Sequence, residues 1–145
     1  MQEDNIHKIS KLTAIRLAIR YIYRSILQFM ESKYWPVIRK AYSGFNSRNI
    51  DGIFSVMDVN VHWPKAFEGG HAIGQDEVRA YWLRQWSEIN PKVEPVSVVE
   101  RADGKVEVLV DQLVKDLEGN VLFDGTTKHV YTFADDRIVC MDIEG

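Results

Sequence analysis

The chain has 145 residues, 46% of them apolar and 27% charged, with a formal net charge of −3. That length fits one domain able to bury roughly 70% of its unfolded surface, and the composition excludes disorder, collagen-like repeats and a disulfide scaffold. The charge is split: residues 1–30 carry Lys8, Lys11, Arg16, Arg20 and Arg24 against Glu3 and Asp4, a net +3, so the remainder carries −6.

In the basic head, apolar residues recur every three or four positions from Ile6 through Ile9, Leu12, Ile15, Ile19, Ile22 and Ile26 to Phe29. This spacing predicts a helix, widened on its apolar side by Leu17, Ala18, Tyr23, Leu27 and Met30. Arg16, Arg20 and Arg24 sit four apart, and no acid lies between Asp4 and Glu31. Such an amphipathic basic helix can pack on its own domain or a second subunit, lie on a membrane surface through residues 8–30, or dock on a protein partner. Arginines break the apolar region and no small-residue cleavage site follows, which argues against a secretory signal. No run reaches the ~18 apolar residues of a membrane span.

The body is expected to begin near Trp35-Pro36, giving a helical extension over 1–34 and a domain over 35–145. Val37, Ile38, Ala41, Tyr42 and Phe45 continue with helical spacing, with Pro36 tolerated in a first turn. Asn49 is placed to cap a second helix over 50–57, carried by Ile50, Ile53, Phe54 and Met57. Val59, Val61 and Trp63 alternate with polar residues as a strand that stops at Pro64, and 65–73 reads as a loop. Gly74-Gln75-Asp76-Glu77 opens a third helix with Val78, Tyr81, Trp82, Trp86 and Ile89 on its apolar face, closed by Pro91.

From there the period changes to two. Strands are expected over 93–101, with Pro95 marking an edge or bulge, over 106–115, 123–133 and 137–144. Asp103-Gly104, Gly119-Asn120 and Asp135-Asp136 supply the turns. Val106, Val108, Val110, Gln112 and Val114 share one face of their strand, and Phe123, Gly125, Thr127, His129, Tyr131 and Phe133 share one face of the next. Helices followed by an antiparallel meander make an α+β fold.

Several segments, in this order, resemble the SnoaL-like branch of the nuclear transport factor 2-like superfamily. They are Ala-Tyr-Ser-Gly-Phe-Asn-Ser-Arg-Asn-Ile-Asp at 41–51, Val-His-Trp-Pro at 61–64, Glu-Gly-Gly at 68–70 and Gly-Gln-Asp-Glu-Val-Arg-Ala-Tyr-Trp at 74–82. His-Val-Tyr-Thr-Phe at 129–133 and Arg-Ile-Val-Cys-Met-Asp-Ile at 137–143 complete the set. The resemblance implies a cone-shaped barrel, three helices packed on a strongly curved antiparallel sheet, and a homodimer through that sheet. Relatives include polyketide cyclases, ketosteroid isomerases, dehydratases and non-catalytic binding modules, so the fold does not give the function. In the isomerase branch an Asp base precedes a Pro at the end of the first strand, and here that position is Trp63 before Pro64. The oxyanion-hole Tyr and Asp of that branch correspond to Ala41 and His129, with Tyr42 one residue away. These departures count against the isomerase reaction.

A different polar set remains. Gln112 and His129 interrupt an apolar inward face and must be paired, with each other or with neighbours, or face a wet pocket. His129 is the candidate acid–base, with Gln112 and Tyr42 orienting a substrate oxygen; a structural histidine is the alternative. Tyr42, Trp63, Trp82 and Tyr131 are candidate pocket walls and Glu68 a loop carboxylate at the mouth, while Trp86 reads as core and His62 as surface. No metal or cofactor is expected, since the histidines lack ligand spacing and Cys140 has no cysteine partner. The acidic body argues against nucleic acid. A single cysteine suits a reducing compartment, so the expected location is cytoplasmic. Two functions compete: a cyclase- or isomerase-type enzyme on a small apolar or aromatic substrate, and a ligand-binding or dimeric interaction module without chemistry.

Overall fold

The structure, a computed structural model, describes residues 2–30 and 32–145, and among them the side chains of 7, 8, 10–24 and 32–145. It divides into two compact units, the head up to Glu31 and the body from Ser32 to Gly145.

The head is one helix, α1 (Gln2–Met30). Leu12, Ile15, Ile19 and Ile22 are exposed, and so are Leu17, Tyr21 and Tyr23. At 100° per residue, Leu17 and Tyr21 fall on the side away from Ile19. Apolar residues therefore circle the helix, and the two-faced character expected from the stripe is weak. The side chains of Ile6, Ile9, Ile26, Leu27, Phe29 and Met30 lie outside the described residues, as do those of Glu3, Asp4 and Glu31. Among the described residues no helix is long and apolar enough to cross a membrane.

In the body, Tyr34 stacks on Phe133 with ring centroids 4.4 Å apart, so the packed unit starts a few residues before Trp35. Helix α2 (Trp35–Asn46) carries Pro36 in its first turn, where the missing N–H costs nothing. Helix α3 (Ile50–Phe54) is capped by Asn49, whose Oδ1 accepts from Gly52 N at 3.0 Å. It ends earlier than the spacing implies, because Met57 already belongs to β1 (Met57–Pro64).

Strand β1 runs parallel to the last strand, with Met57 opposite Ile138 and His62 opposite Cys140. Five steps on one side against two on the other require a bulge. That bulge turns Val59 outward, 65% exposed, against the simple alternation read for 59–63. Residues 71–73, expected as loop, form the short edge strand β2 (His71–Ile73) paired with β1. Helix α4 (Gln75–Glu88) passes directly into β3 (Ile89–Glu100), so Pro91 lies inside a strand. Strand β3 is the other edge, and its register slips between Pro95 and Ser97, so Pro95 marks both an edge and a bulge.

Strands β4 (Val106–Asp116), β5 (Val121–Ala134) and β6 (Arg137–Glu144) complete an open six-stranded curved sheet of order β2-β1-β6-β5-β4-β3. The β3–β4 loop is longer than two residues: Arg101 N donates to Lys105 O around 102–104, with Gly104 at φ 83. Asp135 and Asp136 both have positive φ, as a tight hairpin turn of this hand requires. The core joins α2, α3 and α4 to one sheet face, with Val106, Val108 and Val110 fully buried.

Candidate functional site

Strand register isolates the polar groups of the inner face. His129 lies between Val108 on β4 and Ile143 on β6, and Tyr131 between Val106 and Met141. Each ring therefore has apolar neighbours on both sides along the sheet, and a polar partner has to come from the helix above. Helix α2 supplies it. The Tyr42 hydroxyl lies 2.7 Å from His129 Nδ1, and the Tyr131 hydroxyl donates to the Tyr42 oxygen at 2.9 Å. Tyr42 and Tyr131 are buried, and His129, 7% exposed, is the buried polar residue of the described core.

Burial sets the charge state. It lowers the His129 imidazolium from 6.5 to about 4, so the ring is neutral near pH 7. Burial also raises Tyr131, and it raises Tyr42 with a further contribution from the neighbouring Tyr131. Both hydroxyls keep their protons. His129 Nε2 has no partner among the described residues.

A pocket opens above this chain of hydrogen bonds, with a free volume of about 80 Å³. Ala41, Tyr42 and Phe45 border it from α2, and Tyr81, Trp82 and Gln85 from α4, each set spaced i, i+1, i+4 on one helical face. Trp63 closes the β1 side, its ring 5.3 Å from Trp82 and 6.4 Å from Tyr131. Ala66 and Phe67 from the loop after β1 form the mouth, where Phe67 is 59% exposed. The Trp82 indole N–H is buried without an acceptor among the described residues.

The structure places His129, Gln112, Tyr42, Trp63, Trp82 and Tyr131 on this one pocket. It does not place Glu68 there. Glu68 makes a two-point ion pair with Arg84 at 3.0 and 3.1 Å, which holds its carboxyl below the usual range, and it lies 3.8 Å from Lys65. Nor do Gln112 and His129 pair with each other. Gln112 sits opposite Gly125, four residues along β4 from Val108, which is about 13 Å at ~3.3 Å per residue. It makes no hydrogen bond to a described residue. Trp86 packs behind Trp82 and carries the Arg48 guanidinium 4.8 Å from its ring. His62 is exposed. Tyr81, expected on the apolar face of its helix, and Gln85, which the sequence reading does not single out, also border the pocket, and their side chains meet at 3.3 Å; their i, i+4 spacing on α4 is the signal that places them together. Among the described residues no group of His, Cys, Asp and Glu side chains could hold a metal ion.

No family model and no curated protein matches the chain. Solved structures do. An NTF2-like protein of unknown function from Burkholderia pseudomallei K96243 is 22% identical with a TM-score of 0.67, over 78% of this chain and 90% of that one. TerC, co-crystallised with polyporic acid, is 24% identical with a TM-score of 0.68, over 78% and 91%. RV0760c from Mycobacterium tuberculosis, in complex with estradiol-17beta-hemisuccinate, is 11% identical with a TM-score of 0.67, over 79% and 95%. The body of this chain, with its helices on an open curved sheet, has the nuclear transport factor 2-like fold.

Proposed function

We propose that the body is a small-molecule-binding domain that takes a flat, apolar or aromatic ligand into the pocket beneath Trp63 and Trp82. The carrying observation is a buried imidazole inside an aromatic pocket, with one nitrogen tied to Tyr42 and the other without a partner among the described residues. Apolar walls with few convergent polar groups are what ligand pockets present. Two structural neighbours crystallised with ring compounds support the reading. In its catalytic form the domain performs cyclase-type chemistry, or an isomerisation that does not use the Asp base whose position Trp63 occupies. A neutral imidazole can polarise a carbonyl there, with His129 on the reacting oxygen and Gln112 holding a second polar group of the substrate.

The test is a fluorescence titration of the full chain with polyporic acid and with estradiol-17beta-hemisuccinate, since Trp63 and Trp82 border the pocket. Saturable quenching that weakens in His129→Phe supports the reading. No saturable signal from either compound counts against it.

A second reading rests on size. The free volume of about 80 Å³ is well below the ~300–1,000 Å³ of ordinary ligand pockets. In this reading side chains fill the cone and the domain acts as a homodimer through the outer face of the sheet, where Val99 is 53% exposed.

The head is a separate surface. It meets an anionic lipid surface, a reading supported by Arg16, Arg20 and Arg24 among exposed apolar residues in a stretch without acids.

A further inference from the structure

We infer that the buried Tyr131–Tyr42–His129 chain fixes the histidine as its Nε2–H tautomer, so that the pocket selects ligands presenting an oxygen acceptor. The inference rests on the ligand-binding reading and specifies what that ligand must offer. Each tyrosine has one hydroxyl proton, and a neutral imidazole has one N–H. A continuous chain of donation has two directions; the remaining arrangement, in which the Tyr42 oxygen accepts from both Nδ1–H and Tyr131, leaves the buried Tyr42 proton without an acceptor among the described residues. In the first, Tyr131 donates to Tyr42, Tyr42 donates to Nδ1, and the ring proton resides on Nε2. In the second, Nδ1–H donates to Tyr42, Tyr42 donates to Tyr131, and the Tyr131 proton needs another acceptor.

The structure distinguishes them. Tyr131 is 1% exposed, and its hydroxyl contacts no polar group among the described residues except Tyr42. The second direction would leave its proton buried without an acceptor, which is costly. The first leaves every buried hydroxyl proton used and puts the open N–H on Nε2, where a pocket ligand can take it.

A ligand therefore gains from a carbonyl, carboxylate or phenolate oxygen on its apolar ring, and a group that can only donate gains nothing at His129. Tyr131 does not need to touch the ligand. It acts two hydrogen bonds away as a positioning residue for the ring proton.

The first arm of the test needs no ligand. Long-range ¹H–¹⁵N correlation spectra of ¹⁵N-histidine-labelled full-length protein near pH 7.5 report which nitrogen carries the proton, with His129→Gln identifying the signals. The expected result is a pyrrole-type Nε2 and a pyridine-type Nδ1 in the wild type, with Nδ1–H gaining population in Tyr131→Phe. A pyrrole-type Nδ1 in the wild type overturns the inference.

The second arm compares acetophenone with α-methylstyrene, which replaces the carbonyl oxygen by a methylene of similar shape. Acetophenone should bind about fivefold tighter, the worth of one net hydrogen bond, and the ratio should shrink in Tyr131→Phe. Equal or tighter binding of α-methylstyrene overturns the acceptor preference even where the tautomer is as expected. Binding of neither compound overturns the ligand reading itself, and the first arm separates that failure from a wrong tautomer.

Discussion

The Tyr42 hydroxyl and His129 Nδ1 are 2.7 Å apart although 87 positions separate them in the chain. One comes from the middle of α2, the other from the inner face of β5, so this bond joins the helix layer to the sheet inside the core. Tyr42→Phe removes it at nearly constant volume, and it deprives both the imidazole nitrogen and the Tyr131 hydroxyl of their partner. Unmade buried hydrogen bonds dominate the cost, and a loss of about 1–3 kcal/mol is expected. Urea unfolding measures it; an unchanged midpoint would show the bond contributes nothing.

A buried neutral histidine also makes stability depend on pH. The folded value of about 4 lies below the 6.5 of the free side chain. The stabilisation is therefore complete above pH 6.5 and declines as pH falls toward 4, because the unfolded chain takes up the proton first. Integrated over that window the loss approaches about 3 kcal/mol. Urea midpoints taken between pH 7 and pH 4 should fall along this curve. His129→Phe, whatever its absolute stability, should lose this component of the slope.

Much of this arrangement can be read from the amino-acid sequence. Strict alternation in Val106–Val114 and in Phe123–Phe133 puts Gln112, His129 and Tyr131 on the inner face, because a period of two leaves no other choice. What alternation cannot supply is the partner. Tyr42 meets His129 only once α2 is laid across the sheet, a tertiary fact with no local signal. Spacing also fails where register slips: Val59 belongs to a bulge set by β6, and the three residues of β2 are too few to show any period. Glu68 reads as a pocket carboxylate in the sequence because loop acids near a mouth are free to point inward, and Arg84 on α4 determines otherwise.

That placement of Glu68 has its own consequence. Its carboxylate and Arg84 are solvent-exposed, and such pairs contribute little. Glu68→Gln should leave the urea midpoint unchanged within error. It should also leave polyporic acid titrations unchanged, since the side chain does not border the pocket. A large loss of ligand affinity would return Glu68 to the site.

Edge strand β3 is held by a side chain that imitates a neighbouring strand. Asn46 Nδ2 donates to Val93 O at 2.7 Å, and Asn46 Oδ1 accepts from Val93 N at 2.9 Å. Asn46→Ala leaves both backbone groups of a half-paired edge unmet and should cost about 1–3 kcal/mol. Asn46→Asp keeps an acceptor for the N–H but sets a carboxylate against the carbonyl, so near pH 7 it should be no better than Ala. Hydrogen exchange at the Val93 amide is the local readout, and retained protection in Asn46→Ala would show that the strand holds without the clamp.

The head yields the last test. Between Asp4 and Glu31 its charges are all basic, and Leu12, Ile15, Ile19 and Ile22 are exposed beside them. Apolar residues alone would bind any bilayer, whereas basic residues respond to surface charge and fall off over ~10 Å at 0.1 M salt. Co-sedimentation of the full chain should therefore be strong with vesicles containing phosphatidylserine, weak with pure phosphatidylcholine, and reduced by salt. Replacing Arg16, Arg20 and Arg24 together by Gln should weaken the anionic-vesicle affinity roughly a hundredfold. The apolar residues are kept in that variant, so an unchanged affinity would assign any binding to them and remove the charge argument. Equal binding to neutral and anionic vesicles by the wild type would have the same effect.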